Sequence, residues 1–237
     1  MKKKGIIALA IILTILVIDQ IIKIYIKTHF YLHESYEVTS WFYLAFTENN
    51  GMAFGVELFD KFLLTSFRII AVAFFTYILA KFIRKDMVSM GFTIVMSMII
   101  AGAMGNIFDC IFYGRLFTDS HGQVAQWADP ANGLMGYGEW FRGLVVDMFY
   151  FPLFHFSWPE WFPHTREVID LGWMSFTWPS WAPTCDREFV FFSPVFNFAD
   201  AAISVGVFLM LVCYPKAFMS LMNSGEEVAE SCSLLQL

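Results

Sequence analysis

Four aspartates stand where an apolar chain has little reason to place charge. Asp19, Asp109, Asp147 and Asp200 each lie within or at the mouth of a strongly apolar stretch. An ionised carboxylate in such surroundings is costly, so it faces a protein interior or a wet cavity and usually marks function. Three of the four have a polar partner at helical spacing. Asn197 precedes Asp200 by three, Asn106 precedes Asp109 by three, and Lys23 follows Asp19 by four, so each pair is expected to share a helix face. Two carboxylates brought close cannot both ionise and share a proton. One then activates a water while the other protonates a leaving amine, as in aspartic proteolysis. No serine or cysteine stands in a nucleophile setting with a histidine base, and His121, His155 and His164 lack ligand spacing. Neither covalent catalysis nor a metal or other cofactor is therefore expected.

The elements that must hold these groups are membrane spans. Of the 237 residues 58% are hydrophobic and only 15% charged, against about a quarter charged in a soluble domain. The net charge of −6 excludes nucleic acid as a natural partner, because phosphate neutralisation needs a basic surface. Four spans are expected, at about residues 5–26, 62–83, 87–108 and 195–218. Lys2–Lys4 precede an apolar run that resembles a secretory leader, but no small-x-small cleavage site follows, so the run is read as a retained first span. Lysines and arginines at 2–4, at Lys81, Arg84 and Lys85, and at Lys216 then put both termini in the cytoplasm. That topology gathers Asp19, Asp109 and Asp200 toward the outer face. Asp19 and Lys23 read either as an internal ion pair or as a substrate-contacting pair. Arg68, two turns into the second span, is expected to snorkel to the interface.

Between the spans lie outer segments at about 29–61 and 115–193. The first carries a strand-like run, Glu37–Leu44, and an Asn50-Gly51 turn signal. The second holds seven of the eight tryptophans, a density of amphipathic rings that suits a membrane–water interface. Within it Phe156-Ser157-Trp158-Pro159-Glu160-Trp161-Phe162-Pro163 is echoed by Phe176-Thr177-Trp178-Pro179-Ser180-Trp181-Ala182-Pro183, read as two Trp-Pro turns capping short edge strands. Cys110, Cys185, Cys213 and Cys232 are scattered and expected to be free thiols, although Cys110 and Cys185 fall on one side of the membrane. The expected whole is one domain over 1–222: an all-α membrane bundle of four transmembrane helices with a small outer β-rich, aromatic extramembrane region. The polar tail, 223–237, is expected to be a disordered cytoplasmic extension.

From Asp19 to Ile203 the chain resembles bacterial lipoprotein signal peptidase (signal peptidase II), as a long-loop member. The matching stretches run in order: Asp19-Gln20 with Lys23; Asn50-Gly51 with Ala53-Phe54-Gly55; Gly105-Asn106 with Asp109; Val145-Val146-Asp147; and Phe196-Asn197 with Ala199-Asp200 and Ile203. Each is weak alone; five in order on a four-span topology are specific. The resemblance implies a membrane aspartyl endopeptidase that removes signal peptides from diacylglyceryl-modified prolipoproteins, cutting before the lipidated cysteine. It implies Asp147 and Asp200 as the catalytic pair. Asp19, Lys23, Asn50, Gly51, Asn106, Asp109 and Asn197 would build or support the site. It further implies a monomer in the bacterial inner membrane, in contact with membrane lipid, with its active site near the outer face and open to cyclic peptide inhibitors. The dipole of the last helix suits Asp200 as base and Asp147 as proton carrier, with the reverse assignment left open. The chain departs from the family in three places: Cys110 stands where an arginine is usual, Ala101-Gly102 replaces Gly-Gly, and both outer linkers are long. The competing class is a small transporter or lipid-binding assembly factor using the same polar pocket as a relay.

Overall fold

The computed structural model describes residues 2–49, 61–161, 163–164, 168–170, 175–177 and 188–215. Three of its helices have the length and composition to cross a bilayer. They are α1 (Lys2–His29), α2 (Lys61–Arg84) and α3 (Met90–Phe108). The last continues through a π-helical turn (Asp109–Tyr113) into a short α4 (Gly114–Leu116). A fourth apolar helix, α5 (Phe198–Cys213), has 16 residues, short of the roughly 20 that a hydrocarbon core requires. The architecture is thus mostly helical, with three long apolar helices, a shorter one and small sheets.

Local chemistry sets the boundaries. α3 begins at Met90 rather than 87 because Ser89 caps it, its side chain accepting from Phe92 N at 3.1 Å. The same helix outruns its expected end at 108. Its π-helical turn leaves main-chain carbonyls unpaired within the helix, and the 138–143 stretch supplies the donors. Gly143 N reaches Cys110 O at 2.8 Å, Phe141 N reaches Ile111 O at 3.2 Å, and Gly138 N reaches Gly114 O at 2.9 Å. α5 starts at 198 rather than 195 and closes at Tyr214, directly before Pro215, which disfavours helical geometry in the residue it follows.

The helices pack through an apolar cluster that includes Ile78, Leu79 and Ile83 of α2, Phe92, Val95, Met96 and Ile100 of α3, and Met210 of α5. α3 and α5 approach closely because glycine stands at the crossing. A Cβ on Gly102 would run into the Ala199 carbonyl, and one on Gly206 would lie 2.6 Å from Ile99 Cγ1. α1 turns Ile6, Leu9, Leu13 and Val17 outward while burying Asp19, Lys23 and Lys27. That inversion of the soluble pattern fits a lipid surround.

The described chain divides into two compact units. The first comprises Met1–Glu34, Phe46–Met148 and Phe196–Leu237; the second comprises Ser35–Ala45 and Phe149–Val195. The expected strand over 37–44 is in fact a hairpin, with β1 (Ser35–Thr39) antiparallel to β2 (Phe42–Asn49) around a turn at Ser40-Trp41. These belong to a three-stranded sheet of order β1-β2-β3, where β3 is Val145–Tyr150. In the second unit β4 (Phe154–Ser157) pairs with β7 (Glu188–Phe191), and β5 (Val168–Asp170) pairs with β6 (Ser175–Thr177). β4 stops directly before Trp158-Pro159 and β6 directly before Trp178-Pro179. Trp178–Pro183, Cys185 and 216–237 lie outside the described residues, while Cys110 and Cys213 are free thiols.

Candidate active site

Asp147 is brought to α5 through the main chain. Met148 N donates to Phe196 O at 3.1 Å, which fastens β3 beside the residue that opens the last helix. Asn197 follows as N-cap. Its Oδ1 accepts from Asp200 N at 2.9 Å, and Asp200 Oδ2 accepts in return from Asn197 N at 3.4 Å. This is a reciprocal capping box, not the shared helix face that the spacing suggested: Asn197 lies outside the helix with extended backbone. Placed there, its Nδ2 is free to reach out of the helix, and it donates to Asp147 Oδ1 at 2.6 Å.

Asn106 closes the other side. Its Nδ2 donates to Asp200 Oδ1 at 2.7 Å, while its Oδ1 accepts from Asn197 Nδ2 at 3.1 Å and from Lys23 Nζ at 2.8 Å. Two asparagines therefore bridge two carboxylates, and each amide's orientation is fixed by its neighbours. Asp147 is 3% exposed. Burial, with the Asp200 carboxylate nearby, pushes its carboxyl up to about 7 against the opposing hydrogen bonds from Asn197 and Asn49. At neutral pH it is divided between its acid and anionic forms.

Beneath this pair lies a closed ionic layer. Lys23 Nζ contacts Asp19 Oδ2 at 2.9 Å and Asp109 Oδ2 at 2.8 Å, with all three side chains fully buried. The internal ion pair expected for Asp19 and Lys23 is present and extended to Asp109. Asp19 Oδ1 accepts from Ala199 N at 2.9 Å, satisfying a first-turn amide of α5. Gly105 faces the same carboxylate, where a Cβ would come within 2.6 Å of Asp19 Oδ2. Gln20 Nε2 donates to Asp109 Oδ1 at 2.9 Å, and Gln20 Oε1 accepts from Tyr113 OH at 3.0 Å. Asp109 Oδ2 accepts from Val146 N at 3.4 Å, tying the layer to the strand that carries Asp147.

The structure thus brings Asp19, Lys23, Asn106, Asp109, Asp147, Asn197 and Asp200 together. Asn50 and Gly51 lie outside the described residues. Their neighbour Asn49 is present, donating from Nδ2 to Asp147 Oδ2 at 3.3 Å. Asn49 was not among the expected site residues; strand alternation over the run that ends in it was the cue available. Arg68 of α2 has a contact the spacing did not suggest. Its Nη1 lies 3.9 Å from Cys110 Sγ, so a cation from α2 stands beside the position where an arginine was missing. Among the described residues no group of three or more His, Cys, Asp or Glu is placed to hold a metal.

The chain as a whole is similar to known proteins. The sequence profile of signal peptidase (SPase) II matches residues 11–215. Lipoprotein signal peptidases from two strains of Porphyromonas gingivalis are 46% identical over 96% of this chain and 91% of theirs. The lipoprotein signal peptidase of Amoebophilus asiaticus is 32% identical over 85% of this chain and 75% of its own. Two solved bacterial membrane enzymes share the fold at 20% identity, with TM-scores of 0.54 and 0.50, covering 88% and 87% of this chain and 87% and 90% of theirs. The chain belongs to the signal peptidase II family.

Proposed function

We propose that the chain is a membrane aspartyl endopeptidase that removes the signal peptide from diacylglyceryl-modified prolipoproteins, with Asp147 and Asp200 as its catalytic pair. The observation that carries this is the doubly bridged carboxylate arrangement: Asn197 on Asp147 at 2.6 Å, Asn106 on Asp200 at 2.7 Å, and the two amides joined at 3.1 Å. Asp200 lies at the positive end of α5, a setting that suits an anion. It takes a proton from water, whose oxygen attacks the scissile carbonyl. Asp147, carrying a proton over part of the neutral range, delivers it to the leaving amide nitrogen of the lipidated cysteine. Asn106 and Asn197 hold both carboxyl groups in register, while Asp19, Lys23 and Asp109 support them from below; Asn50 and Gly51 are proposed to face the substrate.

An apolar groove between α1, α2 and α3 fits a lipid-bearing substrate. α2 is buried at Thr65 and again at Ile78, Leu79 and Ile83, and between these points it lines an open apolar space. The resulting space of about 670 Å³ is lined by residues such as Leu16, Val72, Ala73, Met104, Ile107 and Phe112. Acyl chains, of the substrate or of the membrane, are the ligands that such a lining accepts. The reading further takes the protein as a monomer in the bacterial inner membrane, termini in the cytoplasm and site near the outer face, blocked by the cyclic peptide inhibitors of the family. The transporter or assembly-factor alternative gains nothing from the family match.

The test is cleavage by the purified protein in lipid nanodiscs. A diacylated precursor should yield a product beginning at the lipidated cysteine, and a cyclic peptide inhibitor should stop it. An unprocessed precursor would refute the reading.

A further inference from the structure

A second buried polar cluster lies one helical turn beyond Lys23 and takes no part in the chemistry proposed above. Lys27 follows Lys23 by four on α1, and its side chain is fully buried. Its ammonium pairs with Glu48 and lies 3.0 Å from Ser120 Oγ, and Ser120 Oγ in turn donates to Glu48 Oε1 at 3.0 Å. The triangle is boxed by ring faces. Lys27 Nζ stands 4.8 Å from the Tyr137 centroid, 5.6 Å from that of Phe117 and 6.0 Å from that of Phe46. A desolvated cation among aromatic faces is held firmly, and a buried ion pair whose remaining valences are met is rigid rather than exchangeable.

Glu48 is the residue before Asn49 in β2, and successive strand side chains point to opposite faces. Fixing Glu48 on one face therefore fixes Asn49 on the other, where Asn49 Nδ2 meets Asp147 Oδ2 at 3.3 Å. Ser120 comes from the long segment after α4. It is 1% exposed and held in place by the pairing of Thr118 N with Gln126 O at 2.9 Å and by the Phe117–Trp127 bridge.

We propose that Lys27, Glu48 and Ser120 form a positioning triad that sets Asn49 against Asp147, so that the long 115–142 segment is a brace for the catalytic strand. None of the three touches the reacting atoms; each acts through Asn49. The inference rests on the catalytic reading of Asp147 for its meaning, but its structural content is testable without turnover.

The Asn49 hydrogen bond favours the anion of Asp147, so loosening it should move the midpoint of that carboxyl upward. The pH dependence of carbodiimide labelling at Asp147, read by mass spectrometry on the full chain in nanodiscs, reports that midpoint directly. Ser120→Ala and Glu48→Gln should each raise it by about half a unit, the worth of a partly lost hydrogen bond. In the same variants precursor turnover should lose about three- to tenfold in kcat with little change in KM. In an Asn49→Ala background neither substitution should move the midpoint further, because the route is already cut. An unchanged midpoint in Ser120→Ala, a small deletion the fold should tolerate, overturns the proposal, as does a full additive shift on top of Asn49→Ala. If the midpoint moves while the wild-type protein leaves precursor uncut, the triad stands and the peptidase reading falls.

Discussion

Asn197 joins two jobs in one side chain: its Nδ2 donates to Asp147 Oδ1 at 2.6 Å while its Oδ1 caps the amide of Asp200 at 2.9 Å. The residue that starts α5 is therefore the residue that fixes the spacing of the two carboxyl groups. Helix capping and site geometry thus meet in one side chain, through different atoms: Oδ1 for the cap and Nδ2 for the site.

Asn197→Ala should show both consequences. Loss of the cap removes about 1 kcal/mol of stability, and release of Asp147 from its partner should cost about 100-fold in kcat, the usual penalty for misplacing a reacting group by an ångström. Thermal melts and precursor cleavage by the same preparation separate the two. Asn197→Asp should keep the cap but not the catalysis, since a carboxylate cannot donate to Asp147.

The raised position of Asp147 sets a pH dependence of stability with a definite sign. Its folded carboxyl titrates near 7 against an ordinary value of 3.8, so between these limits the folded chain holds more proton than the unfolded one. Stability then falls as pH rises through this window, by at most about 4 kcal/mol. Asp147→Asn removes the term. It should melt higher than the wild type at pH 8, and the gap should narrow as pH falls toward 4. Activity should show an alkaline limb near 7, where the proton carrier loses its proton.

Lys23→Met should be more damaging than any change at the reacting pair. It leaves Asp19 and Asp109 as uncompensated charges in a site with no exposure, a loss on the order of 3–5 kcal/mol. Accumulation in membranes should drop sharply. The triple change Lys23→Met, Asp19→Asn, Asp109→Asn should restore part of it, measured as detergent-extractable folded protein.

Gly102→Val should act through the helix crossing. Its Cβ has no room against the Ala199 carbonyl, so α3 and α5 must part and Asn106 must leave Asp200. A cost of about 1–3 kcal/mol is expected, together with loss of cleavage. Gly5→Val, at a glycine with open space around its Cβ position, is the control that should do neither.

Much of this site was legible because charge in an apolar chain is conspicuous. Asp19, Asp109, Asp147 and Asp200 each announced themselves by their surroundings, and Lys23 by its spacing from Asp19. What spacing could not convey was the phase of a helix start. Asn197 and Asp200 look like one helix face at a separation of three, yet the same separation describes a capping box, and only the backbone of residue 197 distinguishes them. The second cluster was illegible for another reason. Glu48 lies 21 residues from Lys27, and Ser120 lies 72 from Glu48, so no local pattern links them. The contact between Arg68 and Cys110 Sγ was illegible as well, because 42 residues separate the two. The expected last span runs to 218, and its final residues lie outside the described ones; within those, α5 closes at Tyr214.

The central claim is that Asp147 and Asp200 act as one pair, and Asp147→Asn and Asp200→Asn made separately test it most directly. Each variant is assayed in nanodiscs against a diacylated precursor, with circular dichroism checking that the helices are retained. Removal of either carboxylate should lower kcat by about 10²–10⁴, the scale of losing an acid–base partner, with KM little changed. Normal turnover in either folded variant would contradict the pair.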